Sequence, residues 1–197
     1  MRHWLRYAVA AAVLLVAGCQ PATQPPVFNA TDITGAEFAR DFTLTDHNGQ
    51  TRSLGDFRGK AVAIFFGYTH CPDVCPTTLS DFAAAMEQLG PQAERVQVIF
   101  VTVDPLRDTP DLLKQFVPAF HPSFLGMYAD GPTLERLAKE YKIVYQKTAV
   151  KAADDYLIDH SAGTYVYDPA GKLRLLVPYG SSPDAIAQDL KTLLGTV

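Results

Sequence analysis

The sequence has no excess of positive charge and no apolar run long enough to cross a membrane. Lysine and arginine total 17 against 21 aspartate and glutamate residues, which gives a formal net charge of −4. This balance argues against binding to nucleic acid and against electrostatic docking on anionic lipid. The longest apolar run covers residues 7–17, whereas a spanning helix needs about 20 apolar residues. We therefore predict neither a nucleic-acid-binding protein nor a membrane span in this run.

Cysteine is also scarce, and the first of the three cysteines closes the apolar run. A short positive start, the apolar stretch and the ending Val16-Ala17-Gly18-Cys19 are typical of a secretory signal. The ending resembles a bacterial lipobox, in which the cysteine becomes the lipidated first residue. We expect residues 1–18 to be a lipoprotein signal peptide and Cys19 to carry the lipid anchor, on a membrane facing the periplasm of a Gram-negative bacterium. The alternative is an ordinary secreted protein with a spare cysteine.

The remaining composition predicts a tether followed by one domain. Residues 19–37 are rich in proline, threonine and asparagine, which is typical of a flexible tether. Residues 38–197 form the predicted domain. Within it, two apolar runs at 61–66 and 96–103 flank a helical pattern near 77–89. Strand, helix and strand in this order predict a parallel βαβ unit.

Hairpin signals lie on both sides of this unit. Asn48-Gly49 separates two alternating segments before it, and Asp168-Pro169-Ala170-Gly171 separates two more after it. Residues 149–159 are polar and are expected to be irregular. Further elements are expected at 111–120, 124–128, 132–141 and 183–194. This order predicts an α/β, thioredoxin-like fold with an N-terminal β-hairpin and an insertion before the final β-hairpin.

The two other cysteines, Cys71 and Cys75, stand where the first buried strand passes into its helix. Their spacing of four residues would place both thiols on one face of the first helical turn. A helix N-terminus favours negative charge and lowers the pKa of a thiol, so we expect thiolates here. Thiolates serve as nucleophiles, redox carriers or soft-metal ligands. In an oxidising compartment the pair can also form a disulfide unless it is kept reduced or metal-bound.

A distant histidine is the third candidate ligand. Thioredoxins carry a proline opposite the cysteine pair, just before the last hairpin. Here the stretch 157–162 contains no proline, and His160 takes the facing position. The topology therefore predicts that His160 approaches Cys71 and Cys75. Two thiolates and one imidazole suit Cu(I), or Cu(II) with an added water or carboxylate, whereas zinc prefers four ligands.

Two acidic residues are candidates for contacts around these ligands. Asp73, between the cysteines, either tunes the thiolates, meets a partner or simply fits a turn. Asp104 follows a parallel strand, at the edge where α/β sheets place their sites. The alternative is a loop held by Arg107 and Asp108 or by a helix cap. His70 is expected to point away from the cluster.

We expect no ligand role for the other aromatic and imidazole side chains considered. His47 lies in a predicted turn and His121 follows a predicted helix end, so both are expected to be solvated. Phe66 and Tyr68 are expected to pack beneath the site.

Three blocks of sequence carry a family resemblance. Gly67–Pro76, Val101–Pro110 and Asp159–Ser161 are similar to the signature blocks of the Sco (SenC-type) family, in the same order, over roughly residues 38–195. The resemblance implies a membrane-anchored, thioredoxin-fold copper chaperone that loads the binuclear copper centre of cytochrome c oxidase subunit II. Other periplasmic copper chaperones are further candidate partners, and nothing in the sequence demands more than a monomer. The implied copper ligands are Cys71, Cys75 and His160.

Three alternatives use the same thiols. A thiol–disulfide reductase acting on the cysteines of that copper site would need the redox-active pair Cys71 and Cys75 but not His160. A structural disulfide between them would close a loop too small to constrain the unfolded chain much. A peroxidase would need a threonine three positions before its cysteine, and that position is Pro72.

Overall fold

The computed structural model of the chain describes residues 26–152 and 155–195. The predicted signal peptide, Cys19 and the first part of the tether lie outside the described residues. Within them, no helix has the length and apolar character that a membrane crossing requires.

An eight-stranded mixed sheet forms the centre of the fold, in the order β1-β10-β9-β4-β5-β6-β2-β3. β4 and β5 pair in parallel at its middle, and β9 pairs antiparallel with the other edge of β4. Every residue of β4 and β5 is buried, as expected of strands covered on both faces. The strands are β1 Thr31–Asp32, β2 Thr43–Asp46, β3 Thr51–Ser53, β4 Ala61–Gly67, β5 Val96–Thr102, β6 Leu125–Tyr128, β7 Tyr145–Ala152, β8 Asp155–His160, β9 Thr164–Tyr167 and β10 Leu173–Val177.

Among the residues that the structure describes, four α-helices pack around this sheet, and capping residues explain the starts of two of them. Thr109 and Asp130 each accept a hydrogen bond from a backbone amide of the helix that follows, and each is followed within two residues by proline. The long first helix buries an apolar face that includes Leu79, Phe82 and Met86. The helices are α1 Val74–Leu89, α2 Pro110–Phe116, α3 Gly131–Glu140 and α4 Pro183–Gly195.

The insertion before the final hairpin is itself a hairpin. β7 and β8 form a separate two-stranded antiparallel sheet, with Tyr145 opposite His160. The prediction of an irregular segment at 149–159 is therefore wrong. Burial alternates along β8, since Tyr156 and Ile158 are buried while Leu157 and Asp159 are exposed. That period of two was the sequence signal for a strand, and the surrounding polar residues obscured it.

The segment predicted as the end of the tether contacts the domain. β1 pairs antiparallel with β10. The backbone amides of Asn29 and Ala30 each donate to the buried carboxylate of Asp189, at 2.8 Å. The last part of the region 19–37 thus lies against the sheet and α4.

Candidate metal centre

The structure brings both thiols and the distant imidazole into one cluster. The Nε2 atom of His160 lies 3.3 Å from Sγ of Cys75. One donor atom from each of Cys71, Cys75 and His160 lies within 4.8 Å of the other two. The predicted approach of His160 to the cysteine pair is therefore present. Within the described ranges, these three residues form the group of three or more His, Cys, Asp or Glu side chains whose donor atoms lie close enough together to hold a metal ion.

The two cysteines occupy different kinds of position. α1 begins at Val74, three residues before the predicted start near Thr77, so Cys75 lies inside the helix and Cys71 in the loop before it. The backbone amide of Cys75 points at Sγ of Cys71 at 3.5 Å. Cys75 is fully buried and Cys71 is half-buried, and both are free thiols. The expectation that both share the first helical turn is thus corrected.

Burial changes the expected charge state of one thiol. Removal from solvent, which penalises the thiolate, raises the pKa of Cys75 far above its ordinary value, and the neighbouring Cys71 adds to the rise. The prediction that the helix N-terminus lowers this pKa is wrong for Cys75. The Cys75 thiol therefore keeps its proton at neutral pH until a cation replaces that proton.

His160 is oriented with its free nitrogen toward the sulfurs. Its Nδ1 lies 3.0 Å from the carbonyl oxygen of Ser161, which can only accept, so Nδ1 carries the hydrogen. Nε2 therefore presents its lone pair to Cys75. Burial lowers the pKa of His160, which keeps the ring neutral at neutral pH. A neutral imidazole fixed by a hydrogen bond on its other nitrogen is the form that binds metals.

Two aromatic rings hold the imidazole edge-on. The centroids of Phe65 and Tyr68 each lie 5.9 Å from that of His160. Tyr68 was expected beneath the site, and it is buried there. Phe66 was also expected, but its ring packs 5.1 Å from that of Tyr141 instead. Successive residues of a strand point to opposite faces, so Phe65 takes the predicted place of Phe66.

Gly67 ends β4 directly under the cluster. A Cβ at this position would lie 2.8 Å from Sγ of Cys75 and 2.8 Å from the ring of Phe100. Real Cβ atoms essentially never approach other atoms so closely. The strand backbone thus comes near enough to the sulfur that only glycine fits, a requirement that the sequence pattern does not reveal.

The loop before Cys71 is fixed by a buried carboxylate. Asp108 accepts hydrogen bonds from the amide and the hydroxyl of Thr69, at 3.0 and 2.6 Å, and from the hydroxyl of Thr102 at 2.6 Å. His70 is half-exposed and contacts this group through Nδ1, 3.0 Å from Oγ1 of Thr69. Its ring lies outside the cluster, as the sequence suggested. The role of Asp108 was not predicted.

Of the two acidic candidates, only Asp104 makes buried contacts. It accepts from the hydroxyl of Tyr156 at 2.7 Å and from the guanidinium of Arg107 at 2.5 Å. The loop is therefore held by Arg107 with Asp104 rather than with Asp108, and the helix cap that the alternative also named is present at Thr109, which accepts from the amide of Leu112. Asp73 is exposed next to the site. Neither carboxylate belongs to the cluster of three donors within the part of the chain that the structure describes.

The other two histidines in the described part of the chain differ from each other. His121 is partly exposed, near the end of a short 3-10 helix. His47 was expected to be solvated, but it is buried, and its Nδ1 accepts from the amide of Gly126 at 3.0 Å. The turn containing His47 folds against β6, which removes the ring from water.

A groove opens the cluster to solvent. It has a volume of about 330 Å³, and its lining includes Cys71, Pro72, Leu157 and His160. A larger groove of about 710 Å³ lies between the N-terminal segment and the β9–β10 turn and contains none of the three donors. The arrangement therefore offers one half-buried sulfur, one buried sulfur and one neutral nitrogen at a solvent-accessible edge.

Comparison with known proteins identifies the family to which the chain is similar. A family model described as SCO1/SenC matches residues 30–195. The chain is 38% identical to the mitochondrial SCO2 homolog of Bos taurus over 133 residues, which are 66% of this chain and 50% of that protein. The chain thus spans about half the length of this curated relative.

Solved structures show the same fold. ScoI of Bradyrhizobium japonicum with copper bound is 37% identical, with a TM-score of 0.71 over 77% of this chain and 96% of that one. Apo Sco1 of Thermus thermophilus is 40% identical, with a TM-score of 0.75 over 85% of this chain and 97% of that one. The predicted thioredoxin-like α/β fold is confirmed. Because the family model matches nearly the whole described domain, the chain belongs to the SCO1/SenC family.

Proposed function

We propose that this protein binds one copper ion through Cys71, Cys75 and His160 and delivers it to the binuclear copper centre of cytochrome c oxidase subunit II. The observation that carries the proposal is the convergence of the three donors, with the Nε2 lone pair of His160 at 3.3 Å from Sγ of Cys75. Two sulfurs and one imidazole are a soft, three-donor set that suits copper. The similar ScoI of Bradyrhizobium japonicum carries copper in its structure, which supports the choice of metal.

Each donor has a distinct part in this function. Cys75 is the buried anchor, and it binds only after losing its proton. His160 supplies a nitrogen that is already neutral and oriented. Cys71, half-buried at the groove, is the sulfur that an incoming ligand of a partner can approach first. Three donors leave room for a fourth during exchange, so cargo can pass between proteins without being released to water.

The proposed location follows from the N-terminal sequence. Cys19 would carry a lipid after removal of residues 1–18, and residues from 20 onward would connect it to the domain at the periplasmic face of a membrane. A Cys19→Ser variant should leave the membrane fraction for the soluble periplasmic fraction. The mass of the mature N-terminus of the wild type would show the lipid directly, and an unmodified Cys19 would overturn the anchor.

Anaerobic titration with Cu(I) against a competing chelator tests the ligand set. The wild type should bind one equivalent, and Cys71→Ser, Cys75→Ser and His160→Ala should each lose tight binding. His121→Ala is the matched control, because it removes an imidazole outside the cluster. Transfer is then measured by mixing loaded protein with the copper-free soluble domain of subunit II. Unchanged affinity in His160→Ala would show that the ligand set is wrong.

A second candidate function is reduction of the cysteines of that same copper site. The observation that favours it is the unequal exposure of two free thiols, one accessible at the groove and one buried behind it. In such a pair the more accessible sulfur attacks a disulfide and the buried sulfur resolves the mixed disulfide. His160→Ala should keep this thiol–disulfide exchange while losing copper, whereas either cysteine variant should lose both.

A further inference from the structure

The strand that carries His160 is not a member of the main sheet. Within the described residues, β8 pairs only with β7, and the two form a sheet of their own. The thiols, in contrast, follow β4 at the middle of the eight-stranded sheet. The distance between sulfur and imidazole therefore depends on what ties β8 to the rest of the domain.

One loop supplies several of these ties through its side chains. Arg107 donates to the backbone carbonyl of Tyr156 at 2.9 Å, and its guanidinium lies 3.6 Å from the centre of the Tyr156 ring. Asp104 accepts from the Tyr156 hydroxyl at 2.7 Å and also binds Arg107. Asp104 is 2% exposed and Tyr156 is 4% exposed. The contacts hold both the backbone and the side chain of a residue four positions before His160.

The same loop also holds the cysteine side of the cluster. Asp108, four positions after Asp104, fixes the amide and hydroxyl of Thr69, two positions before Cys71. Its own amide donates to the backbone carbonyl of Asp104 at 2.9 Å. The guanidinium of Arg107 also lies 5.7 Å from the ring centre of Tyr68, which contacts His160 edge-on. The loop 104–108 thus contacts residues that position the imidazole and residues that position the thiols.

We propose that Asp104 and Arg107 are positioning residues for the copper site, which set the separation of His160 from the two sulfurs by clamping Tyr156. This inference rests on the proposed copper function. Neither residue is one of the three donors, so both act through Tyr156, and Arg107 also acts through Tyr68. A buried ion pair is weak evidence for stability, because well-packed apolar residues often serve as well. A positioning role, in contrast, accounts for the contacts of Arg107 with the backbone carbonyl of Tyr156 and of Asp104 with its hydroxyl.

The first test removes single contacts and measures Cu(I) affinity by chelator competition. Tyr156→Phe deletes the hydroxyl that Asp104 accepts from and keeps the ring under Arg107. Arg107→Gln deletes the charge and the stacking. Each should weaken Cu(I) binding by about 10- to 100-fold, the usual effect of losing groups that orient metal ligands. Arg107→Lys, which keeps the charge without the planar fork, should recover only part of the loss.

Matched controls separate geometry from stability. Tyr165→Phe deletes a buried hydroxyl that donates to the carbonyl of Tyr141, and Arg174→Gln breaks an ion pair with Asp168 beside an aromatic ring. Both should lower the free energy of unfolding while leaving Cu(I) affinity within about twofold, well below the loss expected for groups that orient ligands. Equal losses of affinity in the controls and in the Tyr156 and Arg107 variants would overturn the proposal.

A second readout needs no copper. The ring nitrogen shifts of His160, recorded by long-range proton–nitrogen NMR on the metal-free protein, report the Nδ1–H tautomer. They should change in Tyr156→Phe and Arg107→Gln and stay unchanged in the controls. If the wild type binds no copper, the proposed function is wrong, and the ring shifts still decide the positioning role. Unchanged shifts together with unchanged affinity would refute that role.

Discussion

The two halves of the cluster are built in different ways. The cysteine half follows β4, whose seven residues are all buried and which pairs with a strand on each side. The histidine half lies on a two-stranded hairpin with exposed residues along β8, and side chains connect it to the domain. Backbone ladders thus place the sulfurs, whereas individual side chains place the imidazole. The backbone pairing around β4 should tolerate a substitution that removes one side-chain contact. It should be disrupted by a substitution that adds atoms to the packed core.

Gly67→Ala adds a methyl group to that core and should have the largest effect. The new methyl would overlap Sγ of Cys75 and the ring of Phe100, neither of which can move without shifting the core. We expect a loss of about 3 kcal/mol in the free energy of unfolding, at the upper end for overpacking, and loss of tight copper binding. Urea unfolding and Cu(I) competition measure the two effects.

Gly131→Ala is the control for this substitution. Gly131 opens α3, and a Cβ there meets no atom within 4 Å. Its stability and copper affinity should match the wild type. If Gly67→Ala behaves like Gly131→Ala, the cysteine half is not packed as tightly as its distances show, and the contrast between the halves fails.

Tyr68→Phe should have a smaller effect, and one confined to the histidine half. The Tyr68 hydroxyl accepts from the amide of Ile158 at 3.2 Å, so the substitution leaves a buried amide on β8 without its acceptor. We expect a cost of about 1 kcal/mol and faster hydrogen exchange of the β8 amides, while β4 amides keep their protection. Tyr165→Phe removes a similar buried hydroxyl and should leave β8 exchange unchanged. Equal acceleration in β4 and β8 would show that the halves open as one unit.

The cysteine half was easier to predict from the sequence than the histidine half, because backbone pairing places the cysteines and individual side-chain contacts place the histidine. Long apolar runs identify β4 and β5, and the order of strand and helix fixes where Cys71 and Cys75 lie. The absence of proline before the final hairpin was enough to point at His160. The β7–β8 hairpin was missed because its alternation is short and one of its faces is exposed.

Other details depend on atoms that a pattern cannot place. A helix N-terminus suggested a lowered pKa for Cys75, but complete burial outweighs it and the pKa rises. Phe65 and not Phe66 faces His160, because successive residues of β4 point to opposite faces of the sheet. A continuous run of apolar residues does not show which residues point to which face. The bonds of Asp104 and Asp108 join residues far apart in sequence, so their partners appear only in three dimensions.

The smallest predicted effect is on the pH dependence of the free energy of unfolding, to which both His160 and His47 contribute. Burial lowers the pKa of both rings below the ordinary value of 6.5. The unfolded chain therefore takes up protons first as the pH falls, so the metal-free protein should be most stable above pH 6.5 and should lose stability below it. His160→Gln should make the free energy of unfolding less steep between pH 5 and pH 6.5, an interval just below the ordinary pKa of about 6.5.

Chemical denaturation at several pH values measures this slope for each variant. His47→Gln should also flatten the profile, because protonation of His47 would end its acceptance from the amide of Gly126. Only His160→Gln, however, should abolish tight copper binding, since proton and metal compete for the same Nε2 atom. A His160→Gln profile as steep as that of the wild type would mean that solvent reaches the ring freely, and the imidazole would then lack the orientation that its contacts with Ser161, Phe65 and Tyr68 provide.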